Sequence, residues 1–174
     1  MMNSSNLFYY LSEFSKGIFF FISIFFLMNI EVSLSFFPMF NIATPSIVSV
    51  VIYLCIKKFN IVPSNLNLFF LGVLIDIFFG SNLGSSSIFF LLFKYFTEFV
   101  SIDIISKKYE EDWLYFTLIF VTTFSVIFLI NMIANLRVPD LSPILYHVGI
   151  TLIIFPIMNI SIDLVYFITK LLKN

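Results

Sequence analysis

The chain has 174 residues, of which 60% are apolar and 11% charged, with a formal net charge of −1. A soluble domain carries roughly 25% charged residues, so this composition argues against a water-soluble globule, and the near-neutral balance argues against a basic nucleic-acid binder. The single cysteine, Cys55, rules out an intramolecular disulfide and any multi-cysteine metal site.

What remains is an integral membrane protein. A spanning helix needs about 20 mostly apolar residues, and six such stretches follow one another along the chain. The first covers about residues 17–37, with Glu31 near its far end. It is too long for a cleavable signal, and no small-x-small site follows it, so it is expected to stay as a helix. The second covers about 40–56 and contains Pro45, with Thr44 and Pro45 as an alternative start. The third, about 61–80, is short and carries Asp76. The fourth, about 83–105, carries Lys94 and Glu98. The fifth covers about 113–136. The sixth, about 141–172, is long and contains Pro156 and Asp163. The apolar runs are continuous rather than alternating, which argues against barrel strands. The predicted fold is therefore all-α: six transmembrane helices in one bundle, forming a single transmembrane domain over residues 1–174. Phe is the dominant aromatic, with 26 copies, and is expected often to face lipid where Leu would serve as well.

Lysine and arginine set the expected orientation. Lys16, Lys57, Lys58, Lys107, Lys108, Lys170 and Lys173 fall on one side. Only Arg137, beside Asp140, falls on the other. Both termini are thus expected in the cytoplasm, in agreement with an even number of spans.

The most informative stretch is 71–84, LGVLIDIFFGSNLG. Gly72, Asp76, Gly80 and Gly84 are each four residues apart. On a helix this spacing places Gly72, Asp76 and Gly80 on one face, where glycines admit a close neighbour. A carboxylate is expensive in lipid and should face the bundle interior. Residues 80–84 read as a tight turn. The favoured reading is a packing groove with one hydrogen-bonding carboxyl; a proton relay through Asp76 is the sharper alternative. Lys94 and Glu98, four apart, are expected to neutralise each other inside the bundle, or to offer a polar contact to another membrane protein. Lys94 lies about 15 Å below the turn and Asp76 only about 6 Å, so a direct bond between them is not expected. Asp163 reads as an interfacial residue on a helix bent at Pro156. His147, the only histidine, is a poor metal candidate and reads as a packed or interfacial side chain. No Walker loop, G-x-S-x-G, H-E-x-x-H or dinucleotide fingerprint is present. Asp76 and Asp163 lie at opposite depths, which argues against an aspartyl dyad. No enzyme activity, cofactor or metal is expected.

The G-x-x-x-D-x-x-x-G-x-x-x-G run at Gly72, Asp76, Gly80 and Gly84 resembles the signature of the rod shape-determining MreD family. So does the stretch 45–53, PSIVSVVIY, a helix that opens on Pro45 and closes on Tyr53 before a lysine-bearing loop. Pro156 in the last span is also similar to the family pattern. The specific motif covers about 44–94; Ser46 departs from it, standing where the family often has Asp or Asn. The resemblance implies a non-enzymatic component of the inner (cytoplasmic) membrane that serves cell elongation and lateral peptidoglycan synthesis. It implies contact with a bitopic MreC-like protein, alongside MreB, RodA and penicillin-binding synthases. It also implies a fold similar to the substrate-binding subunits of energy-coupling-factor transporters. On this analogy Gly72, Asp76, Gly80, Gly84, Pro45, Lys94 and Glu98 are the residues expected to pack helices or receive a partner. The alternative is a substrate-binding subunit of a vitamin transporter. It would need an outward pocket of aromatic and polar side chains supplied by the outer loops. Those loops are short and nearly uncharged, which counts against it.

Overall fold

Caps written in the sequence set where the helices begin and end. A computed structural model describes residues 4–40, 43–59, 61–103, 109–135 and 140–171. The described residues form six α-helices and no strand. The helices are α1 (Ser4–Leu34), α2 (Ile47–Phe59), α3 (Asn65–Phe79), α4 (Ser85–Asp103), α5 (Tyr109–Asn135) and α6 (Leu141–Leu171), with a short 3-10 turn at Pro38–Phe40. Lys107, Lys108, Arg137 and Lys173 lie outside the described residues.

Two helices are shorter than the apolar runs that announce them. The Ser64 side chain accepts the Asn67 N–H at 3.2 Å and starts α3. Gly80, at φ 63°, ends it in a left-handed cap. These caps trim the predicted 61–80 to 15 residues, or about 22 Å of helix. In the second span, Pro45 and Ser46 precede the first helical residue, Ile47. The Thr44–Pro45 start is thus the correct one, and 43–46 lie outside α2. At the other extreme, α1 begins well before Gly17.

Two segments are long and apolar enough to cross a membrane: Glu111–Ile133, with 23 residues, and Leu141–Leu164, with 24. At about 1.5 Å per residue each exceeds a hydrocarbon core of about 30 Å. Phe20–Leu34 and Asn65–Phe79 are apolar but shorter.

The helix that is hardest to delimit in the sequence is the most enclosed. Helix α2 packs against α1, α4 and α6, and α4 packs against α2, α3 and α5. Val48, Val50, Ile52, Tyr53, Leu54 and Ile56 of α2 are all buried. Beside them, Phe93, Phe116, Phe120 and Phe155 build an aromatic core across α4, α5 and α6. Phe116 and Phe155 stack at 4.3 Å, and Tyr53 meets both edge-on. Phe therefore divides between two roles. Phe26, Phe69, Phe70 and Phe78 cover the outside, as expected, but the buried set holds the bundle together.

Pro156 lies inside α6 and cannot donate to the carbonyl of Leu152 one turn earlier. The indole Nε1 of Trp113 donates to that carbonyl instead, at 3.1 Å, and ties α5 to α6.

Candidate functional site

A cluster of polar residues lies at one end of the bundle, where α1, α3 and α5 finish and α2, α4 and α6 begin. Asp76 is fully buried there, in the last turn of α3. Its Oδ1 accepts the Ser81 hydroxyl at 2.7 Å. Its Oδ2 accepts the Gly84 N–H at 2.7 Å. The Ser86 N–H is shared between the two oxygens at 3.1 and 3.3 Å. The side chain of α3 thus caps the N-terminus of α4, where unpaired N–H groups and the positive end of the helix dipole favour an anion.

The glycines of the motif do different jobs. A Cβ on Gly72 would lie 2.3 Å from both the backbone nitrogen and the Cα of Ser87. That is the close helix approach the spacing predicts, and the Ser87 hydroxyl donates to the Phe69 carbonyl at 2.9 Å across the same seam. Gly80 and Gly84 do not line that seam. Their φ angles are 63° and 92°, and a Cβ on either would meet nothing within 4 Å. They shape the turn, so the expected packing role passes to Gly72 alone. The physical reason is that α3 ends at Phe79, before the four-residue spacing reaches Gly80.

A second carboxylate repeats the arrangement, and sequence reasoning gave it no role. Glu31, 5% exposed, lies one turn before the end of α1. Its Oε2 accepts the Val48 N–H at 3.1 Å, and the Ile47 backbone also bonds to the carboxylate. Glu31 therefore caps α2 as Asp76 caps α4. The signal was present: a lone acid near the end of one apolar run, with a proline and serine opening the next. Ser46 fits this junction, since its N–H donates to Thr151 of α6 at 3.0 Å and its hydroxyl bonds Ser49 at 2.6 Å. Pro45 is buried beside it.

Lys94 and Glu98 stand apart from this cluster. Lys94 Nζ lies 3.9 Å from Glu98 and donates to the Asn65 side chain at 2.6 Å. Asp76 keeps its bonds to its own turn, so no Asp76–Lys94 pair forms. Asp163 pairs with Lys58, whose Nζ also reaches the Asn159 carbonyl at 3.3 Å. The two aspartates are thus separately engaged.

Between the two capped junctions lies a partly open cavity of about 400 Å³. Its polar lining comes from Glu31, Ser46, Ser85, Ser86, Asn131 and His147. Its apolar wall is mostly phenylalanine: Phe79, Phe89, Phe90, Phe124 and Phe128. His147 hydrogen-bonds the Thr44 backbone and lies 5.4 Å from the Phe124 ring. Sequence reasoning looked for such a pocket in the loops. The helices supply it instead, because the helix ends are where the polar side chains are. Among the described residues no three His, Cys, Asp or Glu side chains gather as a metal site would require.

Compared with known protein families, characterised proteins and solved structures, the chain matches none.

Proposed function

We propose that this chain is a non-enzymatic, six-span scaffold of the bacterial inner membrane, with both termini in the cytoplasm, acting in cell elongation as MreD-like proteins do. The observation that carries the reading is the engagement of Asp76. All its bonds go to the turn and helix that follow it, which is the behaviour of an architectural carboxylate and not of a proton relay. The Gly72–Ser87 seam supports the same role, since it makes α3 and α4 a rigid pair that can present an outer face. Exposed apolar side chains such as Ile22, Phe26, Phe70, Ile153 and Ile157 suit lipid or a partner helix. The lysine distribution supports the orientation.

On this reading the partner is an MreC-like bitopic protein, which would connect the chain to MreB, RodA and the penicillin-binding synthases. Depletion in the native bacterium is expected to give rounded cells, and the MreC-like protein is expected to co-purify. Rod shape kept after clean deletion, with no such co-purification, would sink the proposal.

A further inference from the structure

We propose that the cavity between the two capped junctions binds a compact aromatic molecule that bears an amine and no negative charge. Its volume of about 400 Å³ falls within the range of small-molecule sites, about 300–1,000 Å³. The phenylalanine wall offers aromatic rings to a flat apolar body and to a cation beside it. Glu31 lines the cavity at the mouth of α2. A carboxylate has about four acceptor positions, and the Ile47 and Val48 backbones use part of that capacity from one side. On the proposal, the remaining acceptor capacity goes to a donor in the cavity. No Lys or Arg lines it among the described residues, so an anionic ligand would meet Glu31 without a counter-charge. A lipid tail fits the wall but would leave Glu31, Ser85, Ser86 and His147 facing hydrocarbon, which is costly. The site does not depend on the scaffold reading, and a scaffold can carry it.

The test uses the purified full-length protein in detergent and three matched probes: 1-naphthylmethylamine, 1-naphthylmethanol and 1-naphthoate. Calorimetric titration and thermal unfolding are read together. The amine is expected to bind at least about tenfold more tightly than the naphthoate, a difference of about 1.4 kcal/mol. Glu31→Gln keeps an acceptor for the α2 N–H groups and should weaken the amine, but not the alcohol, by about tenfold. Ile144→Trp, which fills the cavity from α6, should abolish binding of both. If Glu31→Gln fails to fold, Ile144→Trp carries the test alone. Equal binding of amine and naphthoate overturns the proposal. So does amine uptake unchanged by Ile144→Trp, which would be partition into detergent. Absence of any probe binding overturns it as well.

Discussion

The indole of Trp113 donates to the carbonyl of Leu152, the one carbonyl of α6 that Pro156 leaves without a helical donor. The only tryptophan thus repairs the gap made by a proline on the neighbouring helix. Trp113→Phe should cost about 1–2 kcal/mol, because a carbonyl loses its partner. In a Pro156→Ala background the restored N–H should reclaim Leu152, and the same change should cost clearly less. Unfolding of the four proteins in a double-mutant cycle checks this. Additive losses would show that the indole acts through packing alone.

Asp76 should be the most sensitive polar residue in the chain. Asp76→Leu strands the N–H groups of Gly84 and Ser86 at a part-buried helix end. A loss of about 2–6 kcal/mol is expected, from about 1–3 for each stranded group. Lys94→Met should cost about 1 kcal/mol or less, since its pair with Glu98 is long at 3.9 Å and Glu98 is partly exposed. On the proposed function, the same order should appear in co-purification of the proposed MreC-like protein. Equal, small effects of both changes would contradict the assignment.

The motif glycines should separate by mechanism. Gly72→Ala drives a methyl into the Ser87 backbone at 2.3 Å, so α3 and α4 must part. A cost of about 1–3 kcal/mol, or failure to assemble, is expected. Gly80→Ala meets no atom and should cost only about 1–2 kcal/mol, from left-handed strain. Gly149→Ala, with open space around it, should be neutral or stabilising by up to about 1 kcal/mol. Heat or SDS unfolding of the three variants gives the ranking.

Lys58 and Asp163 join α2 to α6. Their side chains are 17% and 36% exposed, so solvent screens the pair and the coupling should be modest. The Lys58→Met and Asp163→Leu cycle should give an interaction of about 1 kcal/mol. A value near zero would reduce this pair to a surface contact.

Much of this architecture was legible as punctuation. Gly80 and the turn after it mark the end of α3, and Pro45 marks the start of α2, whereas the Ser64 cap lies unmarked inside the apolar run. The four-residue spacing found the Gly72 seam because a backbone approach needs a missing Cβ at a definite place. It overreached at Gly80, because periodicity continues through a cap that the backbone does not follow, while 80–84 form the turn that the residues predict. Glu31 went unassigned for a different reason. Its partners are backbone N–H groups on another helix, so only the lone acid and the proline and serine that open the next run hint at the junction. Burial of Phe was equally hidden. A phenylalanine reads the same on the lipid side as in the stack of Phe116 on Phe155, and only the helix neighbours distinguish them.

The reach of Asp76 from α3 into the start of α4 bears on how the chain is made. On the six-span proposal, a lone α3 would carry that carboxylate into the bilayer with no partner, which is costly. Delivered together with the turn and α4, it arrives already bonded. On the six-span proposal the natural unit of insertion for this segment is therefore the hairpin, and release of α3 ahead of α4 is the step at which biogenesis would stall.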